Sequence, residues 1–133
     1  MATANWGLDR SWKAAIDFST CGQYRFMKTG SIAGEVTMNT TVGGSVLGVL
    51  QNDPKPGEEA VVRHLGFSKV QGNGDASALV WGGQIKSGSD GMAYGYGNGL
   101  AASLIAVGFA MEALSSGCQV AVEVLLAPPG YRG

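Results

Sequence analysis

The chain holds one histidine, His64, and two cysteines, Cys21 and Cys118, so a thiol–imidazole pair or a metal site would have to draw on these three. A thiolate activated by an adjacent imidazole performs hydrolytic or acyl-transfer chemistry. No nucleophile signature surrounds Cys21, and no G-x-S-x-G frames a serine. His64 stands in Val61-Val62-Arg63-His64-Leu65, where strand alternation puts Val62 and His64 on one face and Val61, Arg63 and Leu65 on the other. A histidine in that setting reads as a surface or subunit contact. The cysteines lie far apart and lack the second pair that zinc or C-x-x-C redox spacing requires. They read as reduced thiols, with a Cys21–Cys118 disulfide as the alternative in an oxidising environment.

Gly95-Tyr96-Gly97-Asn98-Gly99 ahead of an Ala- and Leu-rich run has the look of a phosphate-binding loop. It matches neither G-x-G-x-x-G nor G-x-x-x-x-G-K-[ST], and no βαβ pattern surrounds it. Asn39-Thr40-Thr41 is a glycosylation sequon, without function if the protein is not secreted, and Glu58-Glu59 sits beside a turn as a solvated edge. No catalytic, metal-binding or cofactor-binding residue is expected, and the chain is not expected to be an enzyme. Trp81, Tyr94 and Tyr96, in a glycine-rich region, suggest a second class of function, a β-sandwich carbohydrate- or receptor-binding module in which aromatic rings stack on a ligand.

Composition sets the frame for these residues. At 133 residues the chain fits one domain with a single core, and with 45% hydrophobic residues it needs no disulfide or metal to fold. Twenty-two glycines with only four prolines and no G-x-y period exclude collagen and favour strands with tight turns. A net charge of −1 argues against direct nucleic-acid binding through phosphates. No charged and apolar leader is visible at the start, and the longest apolar run is too short to span a bilayer, so the expectation is synthesis in the cytoplasm without membrane attachment.

Short apolar stretches split by turn residues, spaced at roughly ten residues, are the pattern of an all-β barrel or sandwich. Residues 24–27, 35–38, 45–50, 59–65, 67–70, 78–85 and 119–126 are the candidate strands. The run 100–114 is ambiguous; residues 105–111 read as a strand and 112–116 as a tight turn or single helical turn. The prolines of Gln51-Asn52-Asp53-Pro54-Lys55-Pro56-Gly57 force the chain to loop out. Residues 128–133, after the last strand, form a tail.

Residues 1–19 show no strong alternation, yet hold Trp6, Trp12 and Phe18. Such aromatics either fold back on the domain's own core or insert into a partner, where Trp is a frequent anchor. Within residues 1–28, Arg10, Lys13, Arg25 and Lys28 outnumber Asp9 and Asp17 by two, whereas the remainder has five basic and eight acidic residues. Residues 1–19, at the head of this basic stretch, read as an extended N-terminal arm meeting an acidic surface through Trp6, Arg10, Trp12, Lys13 and Phe18. Residues 20–127 form the β domain.

Several stretches, in order, resemble the phage capsid decoration, or head-stabilising cement, proteins. These are Gly48-Val49-Leu50-Gln51-Asn52-Asp53-Pro54-Lys55-Pro56-Gly57-Glu58, then Ala60-Val61-Val62-Arg63, then Gly66-Phe67-Ser68-Lys69-Val70. Ile85-Lys86-Ser87-Gly88-Ser89-Asp90-Gly91 is similar to the family's return turn, and the run from Ile105 to Leu114 to its late Ile/Gly/Ala segment. The resemblance implies a small β-barrel or tulip-like β domain with at most one short helix. It also implies a homo-oligomer, most often a trimer and in some lineages a dimer, on the outer surface of a virion. There the protein would bridge neighbouring major capsid subunits and stabilise the shell. Lys55 and Glu58, in the proline loop, are candidate contacts of that surface.

Overall fold

A computed structural model describes residues 7–42, 44, 46–73, 82–95, 107–111 and 119–126. All regular structure among them is strand: β1 (Gly7–Ala14), β2 (Phe26–Thr29), β3 (Glu35–Met38), β4 (Gly48–Leu50), β5 (Glu59–Asn73), β6 (Gln84–Ser87), β7 (Ala93–Gly95), β8 (Gly108–Ala110) and β9 (Gln119–Leu126). The expected all-β class is what the molecule adopts.

The hydrogen-bonded order β1-β3-β2-β4-β5-β7-β6-β8-β9 closes on itself twice, because β5 also pairs with β1 and with β9. The first half of β5 completes a five-membered ring with β1, β3, β2 and β4, and its second half completes another with β7, β6, β8 and β9. Closure leaves few exposed edges, a stable solution for short strands. Gly66 is the handover point: it faces Gly7 at the start of β1 and Leu126 at the end of β9, and its φ of 103° is open to glycine at little cost. Residues 59–65 and 67–70, expected as two strands, are therefore one 15-residue strand running through both rings.

Two apolar clusters follow from the two rings, where composition suggested one. Ala14, Phe18, Met27, Val36, Leu50, Ala60 and Val62 form the first. Phe26, Val46, Val49, Val70, Ile85, Ala93, Val107, Ala110 and Leu126 form the second. Strands β2 and β4 are the wall between them: alternation sends Phe26 and Val49 to one cluster and Met27 and Leu50 to the other. Their unbroken apolar sequence reflects burial on both faces. A Cβ on Gly48 would lie 2.0 Å from the carbonyl oxygen of Arg63, so only glycine permits β4 to approach β5 this closely.

Polar links tie the halves together. Asn39, 1% exposed, donates through Nδ2 to Ser87 Oγ at 2.7 Å and to the Thr41 carbonyl at 2.8 Å. The sequon asparagine is thus a buried bridge between the end of β3 and β6. Tyr24 adopts a left-handed φ of 66°, held by Tyr24 N–H to Leu50 C=O (2.7 Å) and Gln71 N–H to Tyr24 C=O (2.8 Å). That conformation ends the strand expected to begin at Tyr24, which starts instead at Phe26. Residues 78–81, 96–106, 112–118 and 127–133, which include the expected turn at 112–116 and the tail, lie outside the described residues.

Over the described residues the expected extended arm is corrected. Gly7–Ala14 is a strand, paired antiparallel with β5 from Gly7↔Gly66 to Lys13↔Glu59 and parallel with β3 at Lys13↔Glu35 and Ala14↔Val36. Its polar sequence hides this pairing because both faces are largely exposed and only Ala14 at its end is fully buried. Trp6 lies outside the described residues.

Candidate functional site

Strand β1 and the loop between β4 and β5 bring most of the expected contact residues to one side of the molecule. The Gly57 N–H donates to the Ala14 carbonyl at 2.8 Å, the Ala14 N–H to the Glu58 carbonyl at 2.9 Å, and the Phe18 N–H to the Pro54 carbonyl at 2.9 Å. The loop is held by its own turn: Glu58 Oε1 accepts from the Lys55 N–H at 2.8 Å, and Gly57 takes a φ of 82°. Lys55 and Glu58 are both exposed on it. Phe18, by contrast, is 1% exposed in the first cluster, so its ring anchors the domain and cannot reach a partner.

Alternation along β1 divides the rest. Leu8, Arg10 and Trp12 share one face, and Asp9, Ser11 and Lys13 the other. On the second face Asp9 takes a two-pronged bond from Arg63, Nε to Oδ1 at 2.6 Å and Nη2 to Oδ2 at 3.0 Å. The Arg63 bond holds the Asp9 carboxyl below its usual range, against the opposing effect of burial, and Asp9 in turn raises the Arg63 guanidinium. Arg63 Nη1 also donates to the Phe67 carbonyl at 2.9 Å, bracing the bend at Gly66. Ser11 Oγ donates to Glu59 Oε2. Nearby, the Asp17 carboxyl is lowered by the Ser19 hydroxyl and N–H.

On the first face the Trp12 indole N–H donates to His64 Nε2 at 3.2 Å, and His64 Nδ1 lies 2.8 Å from the Leu47 carbonyl. An acceptor at Nε2 and a carbonyl at Nδ1 assign the proton to Nδ1. The rings meet edge to face at 6.0 Å and 67°, and the Arg10 guanidinium stacks 4.9 Å from the Trp12 ring centre. His64 owes its aim to a bulge, since Leu8 pairs with Leu65 and Asp9 with Arg63, leaving His64 as the extra residue. Reading strand faces could not find this role, because nothing in the local sequence announces which strand would supply Trp12.

Cys21 is exposed and free, in a hollow lined by Phe18, Ser19, Thr20, Gln23, Tyr24, Asp53 and Gln71. His64 is not among those residues, and both its ring nitrogens are engaged elsewhere. Cys118 lies outside the described residues, as do Trp81 and Tyr96. Tyr94 packs so tightly under Gly88 that a Cβ there would meet its ring at 2.0 Å, and its hydroxyl donates to Asp90 Oδ2 at 3.1 Å. Among the described residues no cluster of His, Cys, Asp and Glu is placed to hold a metal ion, and no helix is long and apolar enough to cross a membrane.

The double-ring β fold has a counterpart in a solved structure. The chain folds like a phage head-fiber base. The crystal structure of the head fiber gp8.5 N base in bacteriophage phi29 superposes with a TM-score of 0.65, over 96% of this chain and 100% of that one, at 15% sequence identity. No family model and no curated protein matches the chain. At that identity the likeness is one of fold alone.

Proposed function

We propose that the chain is a structural protein of a phage virion, bound to the outer surface of the capsid, where it bridges neighbouring major capsid subunits and stabilises the shell. The observation that carries this reading is the end-to-end fold likeness to a head-fiber base, a protein whose name places it on a phage head. The order of stretches resembling decoration proteins supports the finer assignment to a head-stabilising role. Such a protein works by complementarity rather than by covalent chemistry. Its partners are the major capsid protein and further copies of itself, a trimer in preference to a dimer. Linking several sites gives avidity without strong individual contacts.

The capsid-facing surface in this reading is the β1 side, with Arg10, Trp12 and Lys13, together with Lys55 and Glu58 of the adjoining loop. Phe18 is excluded by its burial. The test adds purified chain to particles of the corresponding phage that lack it. Saturable binding, a raised temperature of shell rupture and exterior density by cryo-electron microscopy are expected. Absence of binding overturns the reading.

A further inference from the structure

Strand β1 pairs with β5 along its length, but with β3 only at Lys13 and Ala14. The N–H groups of Lys13 and Ala15 donate to the Gly34 and Val36 carbonyls at 2.9 and 3.0 Å, whereas the Ala14 N–H turns the opposite way to Glu58. Backbone groups alternate sides along a strand. Asp9 and Ser11 therefore aim N–H and C=O toward the β3 side, where β3, starting at Glu35, has not reached. No strand among the described residues pairs with β1 there. Proteins blunt such edges with proline or bulges, and Gly7–Trp12 has no proline, while the bulge lies on β5 instead.

The side chains at this edge also lack an occupant. Leu8 is 59% exposed, and Trp12 is half-buried beside it on the same face. Arg10, between them, is exposed and stacks on Trp12 with no carboxylate partner among the described residues, whereas Asp9 and Ser11 on the other face are already bonded to Arg63 and Glu59. Ser11, Trp12, Lys13 and Gly34 line a shallow hollow at one end of the edge.

We propose that the open edge of β1 receives an extended segment of the capsid partner with the pattern apolar–x–acidic–x–apolar. Its backbone pairs with Asp9 and Ser11, its acidic residue meets Arg10, and its apolar residues cover Leu8 and Trp12. This rests on the capsid reading above and names the chemistry of its contact. A second copy of the chain is a poorer occupant. Antiparallel pairing of two β1 edges through Asp9 and Ser11 sets either the two Arg10 side chains or the two Asp9 side chains opposite each other, and like charges directly across a ladder repel.

The test measures binding of the full chain to particles built of the major capsid protein, with four variants. Ser11→Pro removes one outward N–H without touching the β1–β5 ladder, and Ser11→Ala controls for the hydroxyl. Arg10→Glu reverses the exposed charge and Arg10→Lys keeps it. Ser11→Pro and Arg10→Glu should each weaken binding about tenfold or more, while the two controls bind nearly as the unaltered chain does. Hydrogen exchange of the Asp9 and Ser11 amides should slow on particles. Should Ser11→Pro fail to fold, Arg10→Glu and the exchange measurement decide alone. Equal binding by the unaltered chain, Ser11→Pro and Arg10→Glu overturns the edge proposal and leaves the virion reading standing. No binding by the unaltered chain overturns both. Loss of self-association in Ser11→Pro, with particle binding intact, overturns the capsid segment in favour of a second copy.

Discussion

The indole N–H of Trp12 donates to Nε2 of His64 across 3.2 Å, joining two residues fifty-two positions apart. This bond fixes the ring on which Arg10 stacks, and so couples the only histidine to the exposed face of β1. Trp12→Phe keeps an aromatic ring, smaller than the indole, and deletes the donor, leaving the partly buried Nε2 without its partner. A loss of about 1 kcal/mol is expected from urea unfolding. Combined with His64→Ala, Trp12→Phe should cost less than the sum of the two separate effects, since the bond can be lost only once.

Deleting residues 1–19 removes β1 and Phe18 together, opening the first ring and emptying part of its core. The truncated chain should fail to give a cooperative unfolding transition. Phe18→Ala alone should cost about 3–5 kcal/mol, read by the same method, and a folded, cooperative truncation product would show that β1 contributes little to the domain.

Acidification should expose the Asp9–Arg63 bond. The Asp9 carboxyl is depressed in the folded chain, so its contribution is present above the unfolded carboxylate range and is lost as pH falls through the lower folded value. Because the Asp9 side chain is 36% exposed, that contribution stays below about 1 kcal/mol. Asp9→Asn should be less stable than the unaltered chain at neutral pH, and the gap should narrow below about pH 4.

Two glycines separate close packing from backbone strain. Gly48→Ala would drive a methyl group into the Arg63 carbonyl at the wall between the cores and should cost about 3 kcal/mol or more. Gly57→Ala meets nothing within 4 Å but must hold a φ of 82°, so a loss of about 1 kcal/mol is expected. Thermal unfolding of both variants, beside the unaltered chain, checks the ranking.

The all-β class, the loop around Pro54 and the strands at 35–38 and 119–126 were legible in the residues, because turn chemistry and period-two apolar patterns are local signals. The resemblance to phage capsid decoration proteins rested on the order of several short motifs, and the likeness to the head-fiber base bears on the fold alone. The double closure around β5, the two cores and the membership of β1 in the first ring were decided only by tertiary structure. The eight-residue strand Gly-Leu-Asp-Arg-Ser-Trp-Lys-Ala shows little alternation because both its faces are largely exposed, with Trp12 half-buried and only Ala14 fully buried. Its partner in β5 lies some fifty residues away, and backbone pairing at that distance leaves no mark on composition. The same holds for His64, whose strand face was readable but whose bulge exists only because Leu8 and Asp9 pair on either side of it.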